Sequence, residues 1–78
     1  MQFTGLHDKN GIEIYEGDIV RCSQKGQERD GVVTFIDGMF NWEFEMGATS
    51  YLSAVVKKWS GEVIGNIYDN PELLKDER

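Results

Sequence analysis

The sequence predicts a mainly β domain: a small barrel or rolled antiparallel sheet with a short C-terminal helix. Three observations carry this. In "MFNWEFEM", Phe40, Trp42, Phe44 and Met46 fall at spacing two with Asn41, Glu43 and Glu45 between them, the pattern of a half-buried antiparallel strand. The runs "VVTFIDG" and "EVIGNIY" are rich in β-branched and aromatic residues and lie among Gly-containing turns. No helical pattern alternates with the strands, which argues against βαβ units.

Taken in order, "HDKNG" ends in Asn10-Gly11, two positions tolerant of positive φ. Ile12, Glu13 and Ile14 then alternate as a short extended segment. Glu16-Gly17-Asp18 punctuates the chain before a strand over Ile19 to Ser23, with Val20 and Cys22 on one face and Ile19 and Arg21 on the other. "SQKGQERDG" reads as an exposed polar connection. Asp37-Gly38 then turns the "VVTFI" strand into the aromatic one.

In "GATSYLSAVVKKWSG", Leu52, Val55, Val56 and Trp59 follow the i, i+3, i+4, i+7 spacing of a helical face, so a short helix is expected there. "EVIGNIY" carries apolar residues on both faces and is expected as a strand buried on both sides. Asp69 or Asn70 then caps a terminal helix opened by Pro71 and Glu72, with Leu73 and Leu74 packing it against the sheet and "KDER" left in solvent.

With 78 residues the chain suffices for one domain over 1–78, and for one small core in which the four Phe, three Tyr and two Trp carry much of the burial. The formal net charge is −6, from 8 Lys and Arg against 14 Asp and Glu. Each half of the chain, 1–39 and 40–78, contributes about half of that excess, so no basic patch is segregated, which argues against ordinary nucleic-acid binding and anionic membranes. Cys22 is the single cysteine, the opening lacks a secretory pattern, and no apolar run is long enough to span a bilayer. A cytoplasmic protein without membrane association is expected.

The polar residues offer little for catalysis. His7, the one imidazole, sits beside Asp8 in a turn, and Cys22 shares a strand face with Val20 as a small buried hydrophobe. Asp8, Asn10 and Glu13 are oxygen donors, but Gly11 is fourth where a calcium loop needs its glycine sixth. Glu43 and Glu45 share an outward strand face and read as solvated. "SQKGQERDG" lacks phosphate-loop spacing. No cofactor, metal or small-molecule substrate is expected.

The residues most suited to contact are the aromatics Phe40, Trp42 and Trp59 with Lys57 and Lys58. Arg21, Lys25 and Arg29 are further cations that could gather near the aromatic row. The alternation of that row with Asn and Glu nonetheless reads first as a core face.

"QFTGLHDKNGIEIYEGDIV", "GVVTFIDGMFNW" and "EVIGNIYDNPELL" together resemble the YopX family, small proteins encoded largely by phages and prophages. The resemblance covers most of the chain. It implies a compact SH3-like β-barrel domain that self-associates, with no established activity and no catalytic residue to transfer. The matching Thr4, Gly5, Asp8, Asn10, Gly11, Tyr15, Gly17, Asp18, Gly65, Asn66, Tyr68, Asn70 and Pro71 read as turn, cap and packing residues. The resemblance also implies longer relatives with an N-terminal segment ahead of the "TGL" motif, where this sequence has Met1, Gln2 and Phe3, and any assembly built through that segment is not expected here.

The expectation is therefore a non-enzymatic accessory protein of a phage or mobile element, working in the bacterial cytoplasm. It would bind a second copy of itself or a host protein. Two rival readings are a single-stranded nucleic-acid-binding barrel and an acidic mimic of nucleic acid that blocks a host protein.

Overall fold

The computed structural model describes residues 2–45 and 48–70. Along the chain these form β1 (Phe3–His7), β2 (Glu13–Tyr15), β3 (Asp18–Gln24), β4 (Gln27–Ile36), β5 (Met39–Glu45), β6 (Ala48–Tyr51), α1 (Leu52–Trp59) and β7 (Glu62–Asn66). β1 and β2 make a two-stranded ribbon. The others form an antiparallel sheet in the order β6-β5-β4-β3-β7. β3 to β6 follow one another as a meander, and the chain then passes through α1 before β7 joins the far side of β3. The sheet is open, with β6 and β7 as its edges, so the rolled-sheet form of the expected fold is the one adopted.

Turn chemistry sets the register of the long hairpins. Lys25-Gly26 and Asp37-Gly38 both take positive φ at successive positions, 51° and 80°, then 53° and 80°, the conformation that matches strand twist in a two-residue hairpin. The first hairpin is tighter than the sequence suggests. Only Lys25 and Gly26 are loop, and Gln27 to Asp30 belong to β4, each opposite a residue of β3. Polar composition there marks an exposed strand end rather than a connection, since Arg21 and Asp30 face each other directly and bond.

The core lies on one face of the sheet. Val20 and Cys22 of β3, Val33 of β4 and Trp42 of β5 join Leu52 and Val55 of α1 and Ile14 of β2 in a single buried cluster, against which Leu6, Phe40, Phe44, Val56, Trp59 and Val63 pack in part. This bears out the spacing-two face of β5 as far as Phe44; Met46 lies outside the described residues. It also bears out the helical spacing of α1 and the burial of Cys22. Ile19, on the opposite face of β3, is buried outside that cluster.

α1 ends where Ser60 turns left-handed, φ 54°, and the Gly61 N–H reaches the Val55 carbonyl at 3.2 Å.

Three elements depart from expectation. β1 and β6 carry no strand signal: Gly5 interrupts one, and the four residues Ala-Thr-Ser-Tyr are too few to show a period. β7 is not a strand buried on both sides but an edge strand, half-buried throughout. It stops at Asn66, whose side-chain oxygen accepts the Tyr68 and Asp69 N–H groups at 2.9 and 2.8 Å and so bends Ile67 to Asp69 into a turn. The terminal helix expected from Pro71 lies outside the described residues.

Candidate interaction site

Of the residues singled out for contact, Trp42 must be withdrawn. It is fully buried beneath α1, and its Nε1–H donates to the Val20 carbonyl at 2.9 Å, across the intervening strand β4. The indole crosses above Gly31, where a Cβ would stand 2.6 Å from Trp42 Cε2. An apolar ring whose single donor is satisfied inside the core has nothing left to offer a partner.

Phe40 is half-buried, packed against Phe35 at 4.8 Å between ring centroids. Trp59 packs against the core from the end of α1. Lys57 and Lys58 are exposed in the last helical turn, where positive charge favours the carbonyl end of the helix. The other cations are dispersed. Arg21 makes a two-point bond to Asp30, Nε at 2.8 Å and Nη2 at 3.2 Å, and the carboxylate raises the guanidinium pKa. Arg29 lies over the Phe44 ring at 5.6 Å, and Phe44 in turn stacks on Trp42 at 4.7 Å. Lys25 occupies the β3–β4 turn, beyond the Phe44 end of the row. Of the cations that could gather near the aromatic row, Arg29 lies against it and Arg21 is held by Asp30.

The "HDKNGIE" stretch, set aside as a calcium loop, has another role. The Asp8 carboxylate is buried. Oδ1 accepts the N–H groups of Asn10 and Ile12 at 2.8 and 2.9 Å, and Oδ2 accepts that of Val63 at 2.9 Å. Burial on its own would raise this carboxyl, but the three donors and nearby Lys9 outweigh it and hold the group below its ordinary range. With Lys9 N–H on the Gly61 carbonyl at 3.1 Å, the turn is pinned to β7 and occupies part of that strand's outer edge. Asn70 covers more of it, its Oδ1 accepting the Asn66 N–H at 3.3 Å. Among the described residues no group of three His, Cys, Asp or Glu side chains could hold a metal ion.

What remains uncovered is the far end of the sheet. Register places Ile36, Met39, Asn41 and Tyr51 on the face away from the core, with Ile36 opposite Met39 and Asn41 opposite Tyr51. Ile36 and Met39 are nearly half exposed, and Tyr51 is 61% exposed. Phe35, 42% exposed, stands on the core side of the same hairpin, so the Asp37-Gly38 tip is apolar on both faces. Beside this strip runs β6, an edge paired on one side only. Sequence reasoning missed it, although apolar residues flanking a two-residue turn on both sides, in "FIDGMF", carry the signal.

The described residues thus define a small, mainly β domain: an open rolled sheet, one helix on its core face, and an N-terminal ribbon clamped to its last strand. The family model described as YopX protein matches residues 1–75 of the 78, and the chain belongs to this family. No curated protein matches it. No helix among the described residues is long and apolar enough to cross a membrane.

Proposed function

We propose that this YopX protein is a non-enzymatic accessory module of a phage or mobile element that works by binding protein, with β6 as its contact edge and a second copy of the chain as the first occupant. The observation that carries this reading is the asymmetry of the two sheet edges. β7 has its outward groups engaged by Asp8 and Asn70. β6 has no Lys, no Pro and no charged residue, and so lacks the usual devices against pairing; it ends in the exposed Tyr51, on the same face of the sheet as Met39 and Ile36.

Charge favours a like partner at this place. Residues 46–56, "MGATSYLSAVV", form an uncharged stretch in a chain of net charge −6, so two copies can approach along it without bringing carboxylates together. A host protein presenting an extended neutral segment would use the same edge. The SH3-like character implied by the family resemblance suits a module of this kind.

Sedimentation of the pure protein with its Tyr51→Lys variant tests the reading. Concentration-dependent association that the variant abolishes while keeping its circular dichroism supports it; a wild-type monomer at about 100 μM, or association indifferent to the lysine, counts against it.

An acidic mimic of nucleic acid is the second reading, supported by the −6 charge spread over both halves. A single-stranded nucleic-acid barrel has less behind it, because its stacking tryptophan is buried and Arg21 is paired.

A further inference from the structure

The β1–β2 ribbon has an outward face that the fold does not use. β1 spends five residues where β2 spends three, since Phe3 stands opposite Tyr15 and His7 opposite Glu13. The surplus is taken up around Gly5, φ 84°, with the Thr4 hydroxyl accepting the Leu6 N–H at 3.1 Å and donating to the Ile14 carbonyl at 2.7 Å. In an extended strand, residues four apart are separated by roughly 13 Å. Here the Phe3 and His7 rings meet edge to face at 6.0 Å, and Tyr15 closes on Phe3 at 5.3 Å.

Three rings are thus gathered on the solvent side, while Leu6 and Ile14 of the same ribbon point to the core. Phe3 remains 41% exposed, and a Cβ on Gly5 would meet nothing within 4 Å, so the ribbon is uncovered at both residues. A carboxylate is fixed at the rim: the Tyr15 hydroxyl donates to Glu13 Oε1 at 2.8 Å. That bond and the charge of Glu13 raise the Tyr15 pKa. Lys9, the one Lys or Arg between residues 2 and 20, leans instead toward Glu62 at 3.7 Å.

We propose that Phe3, Tyr15 and His7, with the carboxylate of Glu13, form a recognition site for a cationic side chain, arginine before lysine, carried by a basic segment of a partner protein. Ring faces attract a cation through their quadrupole, and a guanidinium also stacks flat on them while its edge bonds a carboxylate. The charge of the protein is complementary: it carries −6 overall, and Glu16 follows Glu13 in sequence. The site builds on the reading of the chain as a binding module and lies on a different sheet from β6, so each can fail without the other.

The test is a titration of the ¹⁵N-labelled full chain with the peptide acetyl-Gly-Arg-Gly-Arg-Gly-amide, and with its glutamine counterpart. Saturable shifts confined to Phe3, Gly5, His7, Glu13 and Tyr15, present with arginine and absent with glutamine, are expected. Glu13→Gln should weaken binding at least fivefold and Phe3→Ala similarly, whereas Glu28→Gln, which removes an equal charge from an exposed site on another sheet, should leave it unchanged. Shifts scattered over the acidic surface, or equal weakening by Glu28→Gln, would overturn the proposal. So would binding of a single-stranded oligonucleotide at this face in place of the peptide.

Discussion

Trp42 occupies the space that a side chain at Gly31 would need. An ideal Cβ there would fall 2.6 Å from Trp42 Cε2, 2.7 Å from Nε1 and 2.8 Å from the Glu43 carbonyl oxygen, so the bare backbone of β4 is the floor on which the indole rests. Gly31→Ala should therefore destabilise the fold by ~1–3 kcal/mol through overpacking. Its φ lies outside the left-handed region, so the effect is steric. A lowered denaturation midpoint with unchanged m-value checks this.

Trp42→Phe removes the Nε1–H bond to Val20 and part of the ring, leaving a buried carbonyl and a gap, at a combined cost of about 2–4 kcal/mol. Trp59→Phe, at the partly covered end of α1, should cost less. The fluorescence of the Trp59→Phe protein then reports Trp42 alone: blue-shifted and resistant to acrylamide.

Asp8→Asn replaces one carboxylate oxygen by an amide that cannot accept from both sides of the turn. Losing the bond to Val63 or that to the Asn10–Ile12 turn should cost ~1.5–3 kcal/mol. Hydrogen exchange is the more specific readout. The Val63 amide should lose protection ahead of the centre of β4.

Acid titration of stability should contain two opposed contributions. Asp8 has a folded-state pKa below its unfolded value near 3.8, so its stabilisation is full above that pH and is lost as pH falls through the folded value. Asp18 is the reverse. Burial raises its carboxyl despite the bond from the Tyr15 N–H at 2.8 Å, so acidification from above its folded pKa toward 3.8 favours the folded state. Asp18→Asn keeps an acceptor for Tyr15 and should steepen the net loss between those values; Asp8→Asn should flatten the loss below 3.8. Urea midpoints from pH 2.5 to 6 separate the two.

Ile36→Ser with Met39→Ser should leave the unfolding midpoint nearly unchanged, since exposed apolar groups away from special features contribute within about 0.5 kcal/mol. Any self-association through that face should weaken. Sedimentation at two concentrations, beside thermal melts, distinguishes surface from core.

The strands legible in advance were those with a repeating choice between two faces. β5 announced itself because a buried Trp42 between half-buried Phe40 and Phe44 leaves Asn41 and Glu43 outward, and α1 because Leu52, Val55, Val56 and Trp59 recur at helical spacing. β6 and β1 did not, the first being only four residues and the second folded out of period at Gly5. β7 looked central because Val63, Ile64 and Ile67 are apolar on both sides, yet its place was decided by the Asp8 and Asn70 side chains. Contact surfaces were the least legible. Exposure depends on which strand ends project beyond the helix, and no local pattern separates Trp42, sealed beneath α1, from Phe35 seven residues earlier at the open tip.

The bond from Val63 to Asp8 spans 55 residues, and its direction along the chain matters during synthesis. Asp8 leaves the ribosome long before Val63, so the acceptor is already waiting when the last strand emerges. One edge of the sheet is thus guarded in part by a residue synthesised well before the strand it covers, and a chain without Asp8 would lose that part of the cover on β7.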